Sequence, residues 1–121
     1  MKTDGNEHVI NLTKFKVTPE LAGFGVRDLT SWKDFQEIRG LLFYPDPPTQ
    51  EQIDQRVERL ANIALREAKK MGATQVLVSC PPWMLSPLCK ELLYLNMQPM
   101  VTFTKSNNDK GVTVLSLVNA A

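Results

Sequence analysis

Two short segments hold the side chains best suited to chemistry. The first is Thr13-Lys14-Phe15-Lys16-Val17-Thr18, with two hydroxyls and two ammonium groups, the lysines at alternating positions. The second is Ser79-Cys80-Pro81-Pro82-Trp83, with a hydroxyl, a thiol and an indole. Each follows an apolar β-branched run and precedes a helix start, where free backbone N–H groups favour an anion such as phosphate. Lys14 and Lys16 would offset phosphate charge, Thr13, Thr18 and Ser79 would donate hydrogen bonds, and Trp83 would stack on a base or ring. Cys80 completes the candidate ligand-binding set. Plainer roles exist for each: solvated lysines, Thr18 as a helix cap, Cys80 as a small residue at a strand end, and Trp83 as a plug for the sheet.

Catalytic chemistry is harder to place. His8 is the single histidine. It begins the first expected strand, at the end opposite these segments. Cys80 as a nucleophile needs a neighbouring base, and none is evident. Cys89 falls within an amphipathic pattern and reads as core. The Cys/His spacing of zinc sites is missing, so no metal and no cofactor are expected. No Gly-rich dinucleotide fingerprint, P-loop or serine elbow occurs, which disfavours an NAD enzyme, an ATPase and a hydrolase.

The elements that would position these residues follow from periodicity. Residues 8–13 read as a buried strand. Thr18-Pro19-Glu20 starts a brief helix that Gly23 and Gly25 stop. Gly25-Val26-Arg27-Asp28-Leu29 reads as a second short strand. Thr30 or Ser31 caps a helix to about Phe43, with Trp32, Phe35, Ile38 and Leu42 on one face. The proline-rich Tyr44-Pro45-Asp46-Pro47-Pro48 ends it. Thr49 caps a long helix to Met71, with Gly72 as its stop and its acids, Glu58 and Glu67 among them, on a solvated face. Residues 74–80 form the strongest strand, Pro81-Pro82-Trp83-Met84 a forced turn, and Ser86-Pro87 the cap of a helix to about Asn96. Strands over 99–104 and 112–118 flank a polar loop, Lys105 to Gly111. Alternation of this kind predicts a three-layer, Rossmann-like α/β domain: a mainly parallel sheet with an antiparallel C-terminal hairpin. Ligands of such sheets bind beyond the carboxyl ends of strands, where strand order switches.

The segments Asn11-Leu12-Thr13, Thr18-Pro19-Glu20 and Gly25-Val26-Arg27-Asp28-Leu29 resemble an uncharacterised family of small bacterial and phage proteins. The resemblance runs through Pro48-Thr49 and the long helix to Gly72-Ala73 and the strand beyond, about residues 9–105. In layout and in the Thr-Pro-Glu opening the chain is also similar to small single-domain CRISPR-associated Rossmann-fold proteins, some of which bind or cleave cyclic oligoadenylate. That resemblance implies a homodimer with the ligand across the two-fold axis, held by the exits of the first and third strands. Phe15 stands where those proteins often carry histidine, and Ser79 and Cys80 stand where they tend to carry glycine. Both departures count against cleavage.

Composition bounds these readings. The chain has 121 residues, 14 Lys+Arg against 13 Asp+Glu, and 43% apolar residues. That suits one domain over residues 8–121 with a polar tail at 1–7. A net charge of +1 offers no bulk attraction to nucleic acid or anionic lipid, so duplex nucleic acid and membrane are not expected partners. The polar N-terminus lacks a signal peptide's apolar stretch, which points to the cytoplasm and free thiols. The leading functional expectation is a nucleotide-like, phosphate-bearing ligand at the two strand exits. The alternative is a protein-protein interaction module without ligand or catalysis, using Leu42-Phe43-Tyr44-Pro45-Asp46-Pro47-Pro48 or the long apolar last strand. A third class is a thiol enzyme built on Cys80.

Overall fold

The computed structural model describes residues 8–107 and 111–121. The expected tail and the middle of the polar loop lie outside these residues. In chain order the elements are β1 (Val9–Leu12), α1 (Pro19–Ala22), β2 (Val26–Arg27), α2 (Trp32–Leu41), α3 (Gln50–Met71), β3 (Gln75–Val78), α4 (Pro82–Tyr94), β4 (Gln98–Asn107) and β5 (Gly111–Asn119). The strands form one sheet in the order β2-β1-β3-β4-β5. β1 runs parallel to β2 and β3, β3 runs parallel to β4, and β5 closes the edge antiparallel to β4. The domain is therefore mixed α/β with a mostly parallel sheet and an antiparallel hairpin.

The chain moves outward from β1 in both directions, so the strand order reverses between β1 and β3. Right-handed crossovers on opposite sides of such a point place their helices on opposite faces. Alternate residues of β1 show this directly. Ile10 and Leu12 join Val76 and Val78 against α2, α3 and α4, in a core that includes Ile38, Leu60, Ile63, Leu88 and Leu92. Val9 faces the other way and packs with Val26, Leu77 and, from α1, Leu21. Among the described residues the four-residue α1 is the helix on that face, and Val17 and Leu117 of β5 pack there beside it. Thr18 caps α1 by accepting from the Leu21 N–H, and Gly23 already ends it. The helical part of the expected third layer is thus reduced to a single turn.

Capping sets the other helix limits. Thr49 and Gln52 form a reciprocal capping box at the start of α3, and Gly72 ends it at φ 69°. Ser31, not Thr30, caps α2. Four expectations need correction. The segment Pro81-Pro82-Trp83-Met84 is not a turn. Pro81 is the N-cap and Pro82 the first helical residue of α4, where a missing N–H costs nothing. Ser86-Pro87 consequently lies inside α4 and caps nothing. Trp32 leaves the buried stripe of α2 and is 58% exposed, because the stripe is completed by Phe35, Ile38 and Leu42 alone. Glu51, Asp54 and Glu58 are exposed as expected of a solvated face, but Glu67 is fully buried.

The hairpin is longer than expected, at ten and nine residues. β3 pairs with β4 only as far as Met100. Beyond that point β4 has β5 as its strand partner, and a register shift at Phe103/Thr104 leaves Leu115 of β5 as the extra, bulged residue. A bulge bends and twists a ribbon.

Candidate functional site

The exit of β1 is held in shape by buried polar groups. Asn11 is 1% exposed. Its Nδ2 donates to the Phe15 carbonyl at 2.7 Å and to Asp28 Oδ1 at 3.1 Å. Thr13 Oγ1 lies 2.7 Å from Asn11 Oδ1, to which it donates, and accepts from the Phe15 N–H at 3.2 Å. Asp28 also receives the Val17 N–H at 3.0 Å. The loop from Thr13 to Thr18 is therefore pinned to the end of β2, and every group that pins it is hydrogen-bonded.

β1 and β3 are adjacent and in register from Val9↔Gln75 to Leu12↔Val78, so their exits meet. Between them lies a pocket of about 490 Å³. Leu77, which faces the α1 side of the sheet, supplies its floor, and Val78 lines it at the strand end. Thr13, Phe15, Lys16 and Thr18 line it from the β1 loop, Glu20 and Leu21 from α1, and Ser79, Cys80 and Leu85 from the β3–α4 side. The hairpin supplies the remaining wall through Val101, Thr102 and Val114. It is tied there by the Val114 N–H, which donates to Glu20 Oε2 at 3.0 Å across 94 positions of sequence. Most of this surface is apolar, as small-molecule pockets generally are.

Of the sequence-derived candidates, Thr13, Lys16, Thr18, Ser79 and Cys80 line this one pocket, whereas Lys14 and Trp83 are absent from its lining. The Lys14 ammonium sits 5.5 Å from the Phe15 ring centre. Trp83, as the second residue of α4, turns to Tyr44, edge to face at 5.6 Å. The Arg56 guanidinium covers the Tyr44 ring at 4.2 Å and donates to the Leu41 and Phe43 carbonyls. Trp83 and the proline-rich loop therefore brace each other. The Lys16 ammonium lies 4.7 Å from the Trp32 ring centre and 6.0 Å from that of Phe35, so it must leave these two rings, which lie outside the pocket lining, to meet a ligand there. The Thr13 hydroxyl serves the loop, and Thr18 Oγ1 accepts from the Leu21 N–H at 3.2 Å.

Sequence reasoning missed Asn11 and Asp28, which shape the loop, and Glu20, Leu21, Leu85 and Val114, which complete the walls. A lone asparagine inside an apolar strand was the one available signal for the first. The hairpin wall had none, because it depends on a contact between distant segments.

Cys80 is poorly suited to nucleophilic work. Burial pushes its thiol up to about 11, and Cys89 is raised by burial too. At neutral pH both are held as thiols, the unreactive form. His8 precedes β1 at the opposite end from Thr13. Cys80 is accordingly expected to react with iodoacetamide several-fold more slowly than a free thiol at pH 8; only reaction faster than a free thiol would restore the thiol-enzyme reading. The sign of the linkage is also set. Between about pH 9 and 11 the unfolded chain gives up this proton while the folded chain keeps it, so stability falls as pH rises through that window.

Among the described residues, no group of three or more His, Cys, Asp or Glu side chains is placed to hold a metal. No helix of the described residues is long and apolar enough to cross a membrane. Compared with protein-family models, curated proteins and solved structures, the chain matches none of them.

Proposed function

We propose that the protein binds a small nucleotide-like ligand in the pocket at the exits of β1 and β3. The observation that carries this reading is the pocket itself. It has an apolar floor at the point where strand order reverses, and a single ammonium, Lys16, among its described lining residues. A ring system would lie on Leu77 and Leu21, with its phosphate at Lys16 and within reach of the Thr18 and Ser79 hydroxyls. On this reading the domain is a reduced Rossmann-like fold, and Asn11, Thr13 and Asp28 position the loop without touching the ligand.

Calorimetric titration with nucleoside monophosphates tests it. Lys16→Ala is expected to weaken binding about tenfold, the cost of a lost charge-assisted contact. Lys14→Ala is expected to leave binding unchanged. No binding of any monophosphate, or equal binding by Lys16→Ala, would sink the proposal.

A second reading, an interaction module, rests on the last strand. β5 is the sheet edge, and Val112, Leu115 and Val118 on it are exposed. It requires self-association or partner binding that survives Lys16→Ala and is lost when Leu115 and Val118 become polar.

A further inference from the structure

The two charged side chains among the described lining residues have opposite sign: Lys16 from the β1 loop and Glu20 from α1. The Cys80 thiol beside them is neutral at physiological pH, so the lining has no net charge. The Glu20 carboxylate accepts from the Val114 N–H at 3.0 Å. That bond fixes a negative charge between α1 and the hairpin, on the wall of a pocket of about 490 Å³. We infer that Glu20 is a charge filter, which restricts the pocket to an apolar ring body carrying a single acidic group and turns away ligands with two or more.

The physical argument is Coulombic. A pocket of this volume is roughly 8 Å across, so one acidic group can sit at Lys16. A second must approach Glu20 or remain unpaired above an apolar floor. At that separation and a protein-like dielectric the repulsion disfavours a second charge by roughly tenfold or more. Sites for polyphosphates and linked phosphodiesters gather several cations and backbone donors around the charge. Lys16 is the lone cation in the described lining here. The inference rests on the proposed ligand-binding reading and narrows it: nucleoside diphosphates, triphosphates and cyclic oligonucleotides are poor ligands.

The test uses two rigid probes that differ by one charge, naphthalene monosulfonate and naphthalene disulfonate. Binding is followed by amide NMR shifts at Leu77, Ser79 and Val114 in the full chain. The wild type is expected to prefer the monosulfonate at least tenfold. Glu20→Gln keeps an acceptor for the Val114 N–H and removes the charge, and is expected to narrow the preference to threefold or less. Lys16→Met is expected to weaken the monosulfonate and leave the disulfonate no better bound. Equal affinities in the wild type, or an unchanged ratio in Glu20→Gln, overturn the filter while leaving the pocket as a binding site. No shift at the pocket amides with either probe overturns the ligand reading together with the filter. The Val114 amide, if still protected from exchange in Glu20→Gln, shows that the wall is intact.

Discussion

Glu67→Ala is expected to destabilise the domain by about 3–4 kcal/mol, the cost typical of breaking a buried, hydrogen-bonded charge. Glu67 is fully buried on α3. Its Oε1 accepts from the Thr30 N–H at 3.0 Å, and both carboxylate oxygens lie 3.0 Å from Thr30 Oγ1. The Lys70 ammonium, one turn further on and half exposed, stands 3.6 Å from Oε2. Removing the carboxylate leaves the Thr30 N–H without this acceptor, Lys70 without its counter-charge and a void within α3's packed face. These losses reinforce one another, since the link joins segments 37 positions apart and anchors the approach to α2. For a chain of this length the shift in Tm is on the order of 10 °C. Glu67→Gln keeps an acceptor for the N–H and is expected to cost about half as much. Thermal and denaturant unfolding measure both. A loss below about 1 kcal/mol in Glu67→Ala would show that the Thr30 groups do not depend on this carboxylate.

Asn11→Asp is the second large effect, and it bears on the site. The substitution is nearly isosteric, yet it replaces a donor that faces the Phe15 carbonyl and Asp28 Oδ1 with an acceptor. At neutral pH it also sets a second carboxylate beside Asp28, at a position 1% exposed. Lost hydrogen bonds, desolvation and like-charge repulsion together are expected to cost about 3–5 kcal/mol. Asn11→Ala, which only deletes the bonds, is expected to cost about 2 kcal/mol. In the pair Asn11→Asp/Asp28→Asn the new amide can donate to the new carboxylate. A double-mutant cycle should therefore return about 1–2 kcal/mol of favourable coupling. The β1 loop carries Thr13, Lys16 and Thr18, so Asn11→Asp should also weaken binding of the naphthalene monosulfonate. Additive single effects would separate Asn11 from Asp28 and remove the basis for treating the loop as one unit.

Local signals in the chain were read well where one residue type admits one physical role. Thr18-Pro19 at a helix start, Thr49 before a strongly periodic stretch and Gly72 at its end each satisfy backbone groups that nothing else nearby could satisfy. The apolar run ending at Val78 had to be a buried strand. The start of α4 is not legible in the sequence because Pro81-Pro82 serves equally as a turn or as a helix entrance. The packing of Met84, Leu88 and Leu92 against the sheet decided for the helix. Glu67 stands seven positions after Leu60, four after Ile63 and three after Ala64, so helical periodicity alone puts it on the buried face. Its charge argues for solvent, and only the fold supplies Thr30 as the partner that holds it inside.

The same division holds for the site. The sequence by itself determined the α/β class, the hairpin at the end and the two strand exits with Lys16, Thr18 and Ser79, because capping and apolar periodicity are properties of short segments. Only the tertiary structure decided that Lys14 and Trp83 point elsewhere and that α1 shares the second sheet face with the hairpin. It also brought Val114 to Glu20 from 94 positions away. Those features arise where distant segments compete for the same space and the same hydrogen bonds, and neither segment carries the outcome alone.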